Sequence, residues 1–137
     1  MADLSLYRAE YNKGGGMDGG HEEIILEVRE NGSCIIKAEK QDYWGARIKR
    51  KRIRLSRRKP VREEILNALD GSKYMGWNDL EYSDEIALDA PVSRLSVYFT
   101  GEKNESYSIS NNLEMDKNDR QAMYGIISIL RRYAFGE

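Results

Sequence analysis

The chain has 137 residues, of which 40% are hydrophobic and 33% are charged, and its formal net charge is -1. This length fits one domain spanning residues 1–137, and nine Tyr and two Trp residues argue against a disordered chain. The net charge gives no information about partners, so only the distribution of charge along the chain can.

The sequence also predicts a compartment. Cys34 is the single cysteine, which excludes an internal disulfide and fits a reducing compartment. The first residues lack the basic and apolar regions of a signal peptide. No apolar run approaches the roughly 20 residues of a membrane-spanning helix. We therefore expect a cytoplasmic protein without membrane association.

Leu4 to Tyr11 is predicted to form the first strand. Its apolar residues fall on both faces, with Leu4 and Leu6 on one and Tyr7, Ala9 and Tyr11 on the other. This pattern indicates a strand that is covered on both sides for part of its length. Lys13 to Gly20 follows and holds five of the twelve glycines. Its spacing matches neither a dinucleotide-binding nor a Walker pattern, so we interpret it as a mobile hairpin tip.

Glu22 to Arg29 and Ser33 to Glu39 give the clearest hairpin signal. A two-residue Asn31-Gly32 turn would mix apolar and charged residues on both faces. A three-residue loop, Glu30 to Gly32, with Gly32 left-handed, collects the apolar residues on one face instead. Burial favours this second register. Its pairs are Val28 with Cys34, Leu26 with Ile36, and Ile24 with Ala38, so Cys34 is expected in the core.

Gln41 to Ala46 is predicted to be a polar connection that carries Tyr43 and Trp44. The basic segment, Arg47 to Arg62, follows: ten of its sixteen residues are Arg or Lys, while the rest of the chain is net acidic. Arg47 to Leu55 is the fourth predicted strand, and its charges suit a sheet edge. Ile48 is out of phase with Ile53 and Leu55. We therefore expect either a bulge near Arg50-Lys51 or a strand that is firm only from Ile53 to Leu55.

Strands followed by a helix occur twice along the chain. Lys59 to Asp70 is predicted to be the first helix, with Pro60 in its first turn and Gly71 beyond its end. Lys73 to Pro91 is expected to be a long connection with some local pairing. Arg94 to Thr100 and Glu105 to Ser110 then form a hairpin that pairs Val97 with Tyr107 and Leu95 with Ile109.

Asp116 is the predicted N-cap of a final helix that reaches about Tyr133. The apolar stripe of this helix is Met123, Ile126, Ile127, Leu130 and Ala134. Strands and helices are thus segregated in the order ββββα-ββα. This order predicts an α+β fold with a largely antiparallel sheet of about six strands and two helices.

Catalytic and metal-binding patterns are weak. His21 is the only histidine, and His21-Glu22-Glu23 lacks the H-E-x-x-H spacing of zinc sites. Cys34 would need His21 as its base, and the predicted pairing keeps the two apart. The sequence therefore favours a non-enzymatic protein with no catalytic residue, no metal and no cofactor.

Three interpretations of the basic segment compete. Its charges are neutralised within the chain by the acidic Asp79 to Asp89 stretch, or they bind nucleic acid or a phosphorylated ligand, or they dock an acidic protein surface or a second copy. We favour a binding domain with an acidic protein partner or self-association, ahead of nucleic acid. The regions around Trp44 and Trp77 are the predicted aromatic anchors. The predicted site residues are Arg47, Lys49, Arg50, Arg52, Arg54, Arg57, Arg58, Tyr43 and Trp44.

A second functional class stays open. The chain would be an enzyme or a sequestering protein that acts on a small phosphorylated ligand, with the glycine-rich Lys13 to His21 as a lid. This alternative predicts a concave pocket with convergent Arg and Tyr side chains.

Overall fold

The computed structural model describes residues 5–17, 19–83 and 91–136. Its strands are β1 (Ser5–Gly14), β2 (His21–Val28), β3 (Cys34–Gln41), β4 (Lys49–Leu55), β5 (Val92–Thr100) and β6 (Glu105–Ser110). Its helices are α1 (Val61–Leu69) and α2 (Lys117–Phe135), and a 3₁₀ helix (Tyr74–Asp79) precedes β5. The predicted α+β class and the order ββββα-ββα are confirmed.

The described strands form one antiparallel sheet with the order β4-β3-β2-β1-β5-β6. Consecutive strands pair along the meander from β1 to β4, and β5 pairs with β1 on its other side. β4 therefore lies at one edge, as its lysines and arginines predicted. β6 lies at the other edge of the described sheet.

Both helices cover the same face of the sheet. This face and the helices share one hydrophobic core, whose largest fully buried side chains are Trp77, Phe99, Leu6, Ile24, Leu26, Ile36, Ile65, Leu95, Ile109, Met123, Ile126 and Leu130. α1 contacts α2 directly, where the Tyr133 hydroxyl donates to Glu64 Oε1 at 2.9 Å. The opposite face carries mainly charged and polar side chains and is covered by neither helix, and we call it the open face.

Both predicted hairpin registers are confirmed. β2 and β3 pair Val28 with Cys34 and Leu26 with Ile36. Gly32 has φ 87° and closes the three-residue loop, because the left-handed region favours glycine. In the second hairpin, β5 and β6 pair Val97 with Tyr107 and Leu95 with Ile109.

The face prediction for β1 is wrong. The β1–β5 register shifts between Leu6 and Arg8, so the chain inserts an extra residue there. Leu6 consequently joins Ala9 and Tyr11 in the core, where all three are buried. Leu4, which was predicted to share a face with Leu6, lies outside the described residues.

The bulge expected in β4 is also wrong. The described β3–β4 pairing runs in one register from Lys49 to Leu55. Ile48 needs no bulge, because it precedes the strand and is 39% exposed. The alternative of a strand firm only from Ile53 is wrong too, since the pairing covers all seven residues.

The helix ends follow from their caps. Pro60 is the N-cap of α1 rather than a residue of its first turn. The Asp116 carboxylate accepts a hydrogen bond from the Asp119 N–H at 2.8 Å, which confirms the predicted cap of α2. The predicted apolar stripe of α2 is buried throughout. Across residues 5–17, 19–83 and 91–136, no helix combines the length and apolarity required to cross a membrane.

Candidate binding surface on the edge strand

β4 distributes its charges between two faces because strand residues alternate sides. Ile53 and Leu55 pair with Ile36 and Cys34, both buried, so they lie on the helix side of the sheet. Lys49 and Lys51 share that parity. Arg50, Arg52 and Arg54 take the other parity and form a row along the open face. The run of alternating Lys and Arg therefore gives both sides of one strand a positive charge.

All nine predicted site residues are exposed. The aromatic pair is well exposed, with Trp44 83% and Tyr43 60% exposed. These two lie in the turn before β4, where the Ala46 N–H donates to the Tyr43 carbonyl at 2.9 Å. Arg57 and Arg58 lie in the turn after β4. The aromatic pair and this arginine pair therefore lie at opposite ends of a seven-residue strand, about 23 Å long at about 3.3 Å per residue.

Three cations of the open face, Arg8, Lys37 and Arg50, are paired with carboxylates. Glu27 Oε1 lies 3.5 Å from Arg8 Nη1 and 3.8 Å from Lys37 Nζ. At the β4 edge, Arg50 Nε donates to Glu39 Oε1 at 2.7 Å. His21 Nε2 lies 3.0 Å from the other oxygen of Glu39. The hydrogen bond from Arg50, followed by that with His21, holds the pKa of the Glu39 carboxyl below its usual range.

The other cations of the predicted site have no carboxylate partner among the described residues. No ion pair with a described residue involves the following side chains: Arg47, Lys49, Arg52, Arg54, Arg57 and Arg58. Lys51 instead places its ammonium 5.7 Å from the centre of the Phe135 ring at the end of α2. Within the described ranges, positive charge without a carboxylate partner is therefore concentrated at β4 and its flanking turns.

The acidic stretch predicted to neutralise the basic segment begins at the opposite edge of the sheet. Its first residue, Asp79, ends the 3₁₀ helix, and the preceding Asn78 bonds to β6. Five inter-strand spacings separate β6 from β4, about 24 Å. Asp79 and Glu81 are exposed there. The other acidic residues of the stretch fall within 84–89, which lie outside the described residues.

Within the predicted Trp77 region, the Trp77 side chain itself is not an interface anchor. It is 1% exposed, and its indole N–H donates to Asp119 Oδ1 at 3.1 Å. The same oxygen accepts the Lys73 N–H at 2.8 Å. Trp77 is therefore a core residue that joins the 3₁₀ helix to α2.

A cleft lies beside the glycine-rich loop, apart from the edge strand. This cleft has a volume of about 210 Å³. It is lined by Lys13, Gly20, His21, Glu22, Lys40, Gln41, Asp42, Pro91 and Arg131. Gly20 is required at its rim, because a Cβ there would lie 2.5 Å from the Asp42 carbonyl oxygen. Among the described residues, one arginine and no tyrosine line the cleft, so the predicted convergence of Arg and Tyr side chains is not found there.

Glu22 is the buried charge of this cleft. Its carboxylate lies 3.2 Å from Arg131 Nε and 4.0 Å from Lys40 Nζ. Burial, and then the hydrogen bond to Glu22, raise the pKa of Tyr11. Glu22, Lys40 and Arg131 are not among the predicted site residues. The β2–β3 register places Glu22 opposite Lys40 and could have indicated that pair, whereas no local pattern indicates that Arg131 joins them.

Nucleophilic chemistry at Cys34 has no support in this geometry. Cys34 is buried, and burial raises the pKa of its thiol. His21 is paired with Gln41, seven register positions from Cys34, a separation of about 23 Å along the strands. No group of three or more His, Cys, Asp or Glu residues within the described ranges could hold a metal ion.

Comparison with known proteins gives no functional assignment: no protein-family model matches this chain, and no curated protein matches it significantly.

Proposed function

We propose that this protein is a binding module that engages an anionic partner through β4 and its flanking turns, and that the partner is an acidic protein segment. The observation that carries the proposal is the uneven neutralisation of charge. Arg8, Lys37 and Arg50 have carboxylate partners, whereas Arg52 and Arg54 have none among the described residues. Long-range attraction by such a concentrated charge accelerates association with an oppositely charged surface.

The exposed aromatic side chains support the same surface. Trp and Tyr contribute large contact area at interfaces, and Arg is the third residue type enriched there. Trp44 and Tyr43 lie next to the N-terminal end of β4 and bury little of their own surface. A partner that lies along β4 therefore meets the aromatic pair at one end of the strand and Arg57 and Arg58 at the other.

The test compares two variants of equal net charge. Arg52 and Arg54 are changed together to Ser, and the matched control changes the exposed Arg94 and Arg120 to Ser. Each exposed ion pair contributes about 0.2–1 kcal/mol, so losing two predicts binding that is weaker by about 2- to 30-fold. The control should bind like the unchanged protein. Fluorescence anisotropy with a labelled peptide carrying Glu at alternate positions measures both affinities.

Two results would contradict the proposal. One is equal weakening by both variants, which would mean that only the total charge matters. The other is absence of binding at low salt to either the peptide or a single-stranded oligonucleotide. If the oligonucleotide binds and the peptide does not, the partner is nucleic acid. In that case log affinity should fall with log salt with a slope of about -0.7 for each phosphate contacted.

The cleft beside the glycine-rich loop supports a second candidate function, the binding of a small phosphorylated ligand. Lys13 and His21, at the two ends of the loop predicted as a lid, both line it. Its volume of about 210 Å³ is below the roughly 300–1,000 Å³ of clefts that hold drug-sized ligands. A phosphate group or a small phosphorylated molecule suits that size better than a nucleotide does.

The ring protons of His21 report on this cleft without ambiguity, because the chain has no other histidine. Titration with inorganic phosphate should shift their NMR signals. Lys13→Ser should weaken the phosphate response, and Lys103→Ser in the β5–β6 turn should not. Signals that phosphate does not move, or that respond equally in both variants, would exclude the cleft as a phosphate site.

A further inference from the structure

The two edges of the described sheet differ in how their outer backbone groups are bonded. At β6, the Asn78 side chain takes the place of a neighbouring strand. Its Nδ2 donates to the Ser106 carbonyl at 2.9 Å, and its Oδ1 accepts the Ser108 N–H at 2.9 Å. The 3₁₀ helix that carries Asn78 thereby blocks this edge against another strand.

The β4 edge has no such cover. In an edge strand, every second residue directs its N–H and C=O away from the sheet. The described residues provide no hydrogen bond to the β4 backbone other than those of the β3 ladder. Seven residues, Lys49–Leu55, therefore present a free backbone edge beside exposed cations.

The charge of β4 restricts what can pair with this edge. A second copy adding its own β4 would oppose cations with cations, and like charges directly opposite each other destabilise a strand pair. A second copy adding β6 would have to displace Asn78. A segment with carboxylates at alternate positions would instead oppose Arg52 and Arg54 on the open face. On the helix side it would meet Ile53 and Leu55, which are half-buried and accept apolar side chains, and beyond them the cations Lys51 and Lys49.

We infer that β4 accepts an extended acidic segment of a partner protein as an additional strand of the sheet, with its carboxylates on the open face and its apolar residues against Ile53 and Leu55. This inference rests on the proposed function and adds a specific binding mode. Main-chain hydrogen bonds supply affinity in strand addition, and the alternating side chains supply specificity.

Backbone N-methylation tests this mode without changing any charge. Two peptides derive from the peptide with Glu at alternate positions, one methylated on the nitrogens of its odd residues and one on those of its even residues. In strand addition only one set of N–H groups faces β4. One peptide should therefore lose at least about tenfold in affinity while the other binds like the parent. The alternate, outward-facing amides of β4 should also gain protection from hydrogen exchange when the parent binds.

The outcomes separate this inference from the proposed function. Equal affinity of the two methylated peptides, with no added protection in β4, would overturn strand addition and leave the electrostatic binding surface standing. Binding of a single-stranded oligonucleotide but not of the parent peptide would also overturn strand addition, because the partner would not be a peptide. Binding of neither would overturn both the inference and the proposed function.

Discussion

At the scale of single residues, Asp119 has an unusual position for a carboxylate. It is 3% exposed, lies in the first turn of α2 and accepts hydrogen bonds from Trp77 and from the Lys73 backbone. The amino end of a helix favours a negative charge, which offsets part of the cost of burying it. Asp119 therefore fixes the 3₁₀ helix, and with it Asn78, against the body of the molecule.

Asp119→Ala should lower the free energy of unfolding by about 1–3 kcal/mol, because it leaves the buried Trp77 indole N–H without a partner. Asp119→Asn retains an acceptor oxygen and should lose less. Urea unfolding of the three proteins measures the difference. An alanine variant as stable as the unchanged protein would show that Asp119 does not hold the 3₁₀ helix.

At the scale of elements, α2 depends on its cap at Asp116. The hydrogen bond from the Asp119 N–H, assisted by the charge of Lys73, holds the pKa of the Asp116 carboxyl below its usual range. A lowered folded-state pKa stabilises the fold above the unfolded-state pKa, and this contribution disappears as the pH falls through the folded-state value. The cap should therefore contribute fully at neutral pH and be lost in acid.

Asp116→Asn removes the charge but retains an oxygen acceptor. The unchanged protein should have the higher Tm at neutral pH, and the difference should shrink as the pH falls below about 4, where unfolded aspartates protonate. Asp79→Asn, at an exposed carboxylate, is the matched control. A Tm difference that stays constant from neutral to acidic pH would show that the charge of Asp116 does not stabilise α2.

Most of the strands and helices could be predicted from the sequence, because the patterns that specify them lie within short stretches of the chain. The β2–β3 register follows from the parity of Val28, Leu26 and Ile24 combined with one left-handed glycine, all within a short stretch of chain. The bulge in β1 was not predictable in the same way. It appears only where Leu6 and Arg8 pair with Phe99 and Tyr98 of β5, about 90 residues away in sequence, and the pattern around Leu6 gives no sign of it.

At the scale of the whole molecule, sequence predicted that β4 lies at an edge but not the order of the other strands. The candidate surface could be predicted because it is contiguous in sequence, from Tyr43 to Arg58. The cleft could not, since Arg131 comes from α2 and meets Glu22 only through packing of the helix on the sheet. The role of Asn78 was hidden for the same reason: it bonds to Ser106 and Ser108, which are about 30 residues away in sequence.

The side-chain amide of Asn78 also bears on assembly. A β-rich protein can polymerise when each copy has two complementary sheet edges, because every added copy then presents a new free edge. Here the Asn78 side chain occupies the β6 edge. The β4 edge is positively charged and therefore repels the β4 edge of a second copy. Identical copies should therefore not join edge to edge into a continuous fibril, because neither edge of one copy accepts an edge of the next.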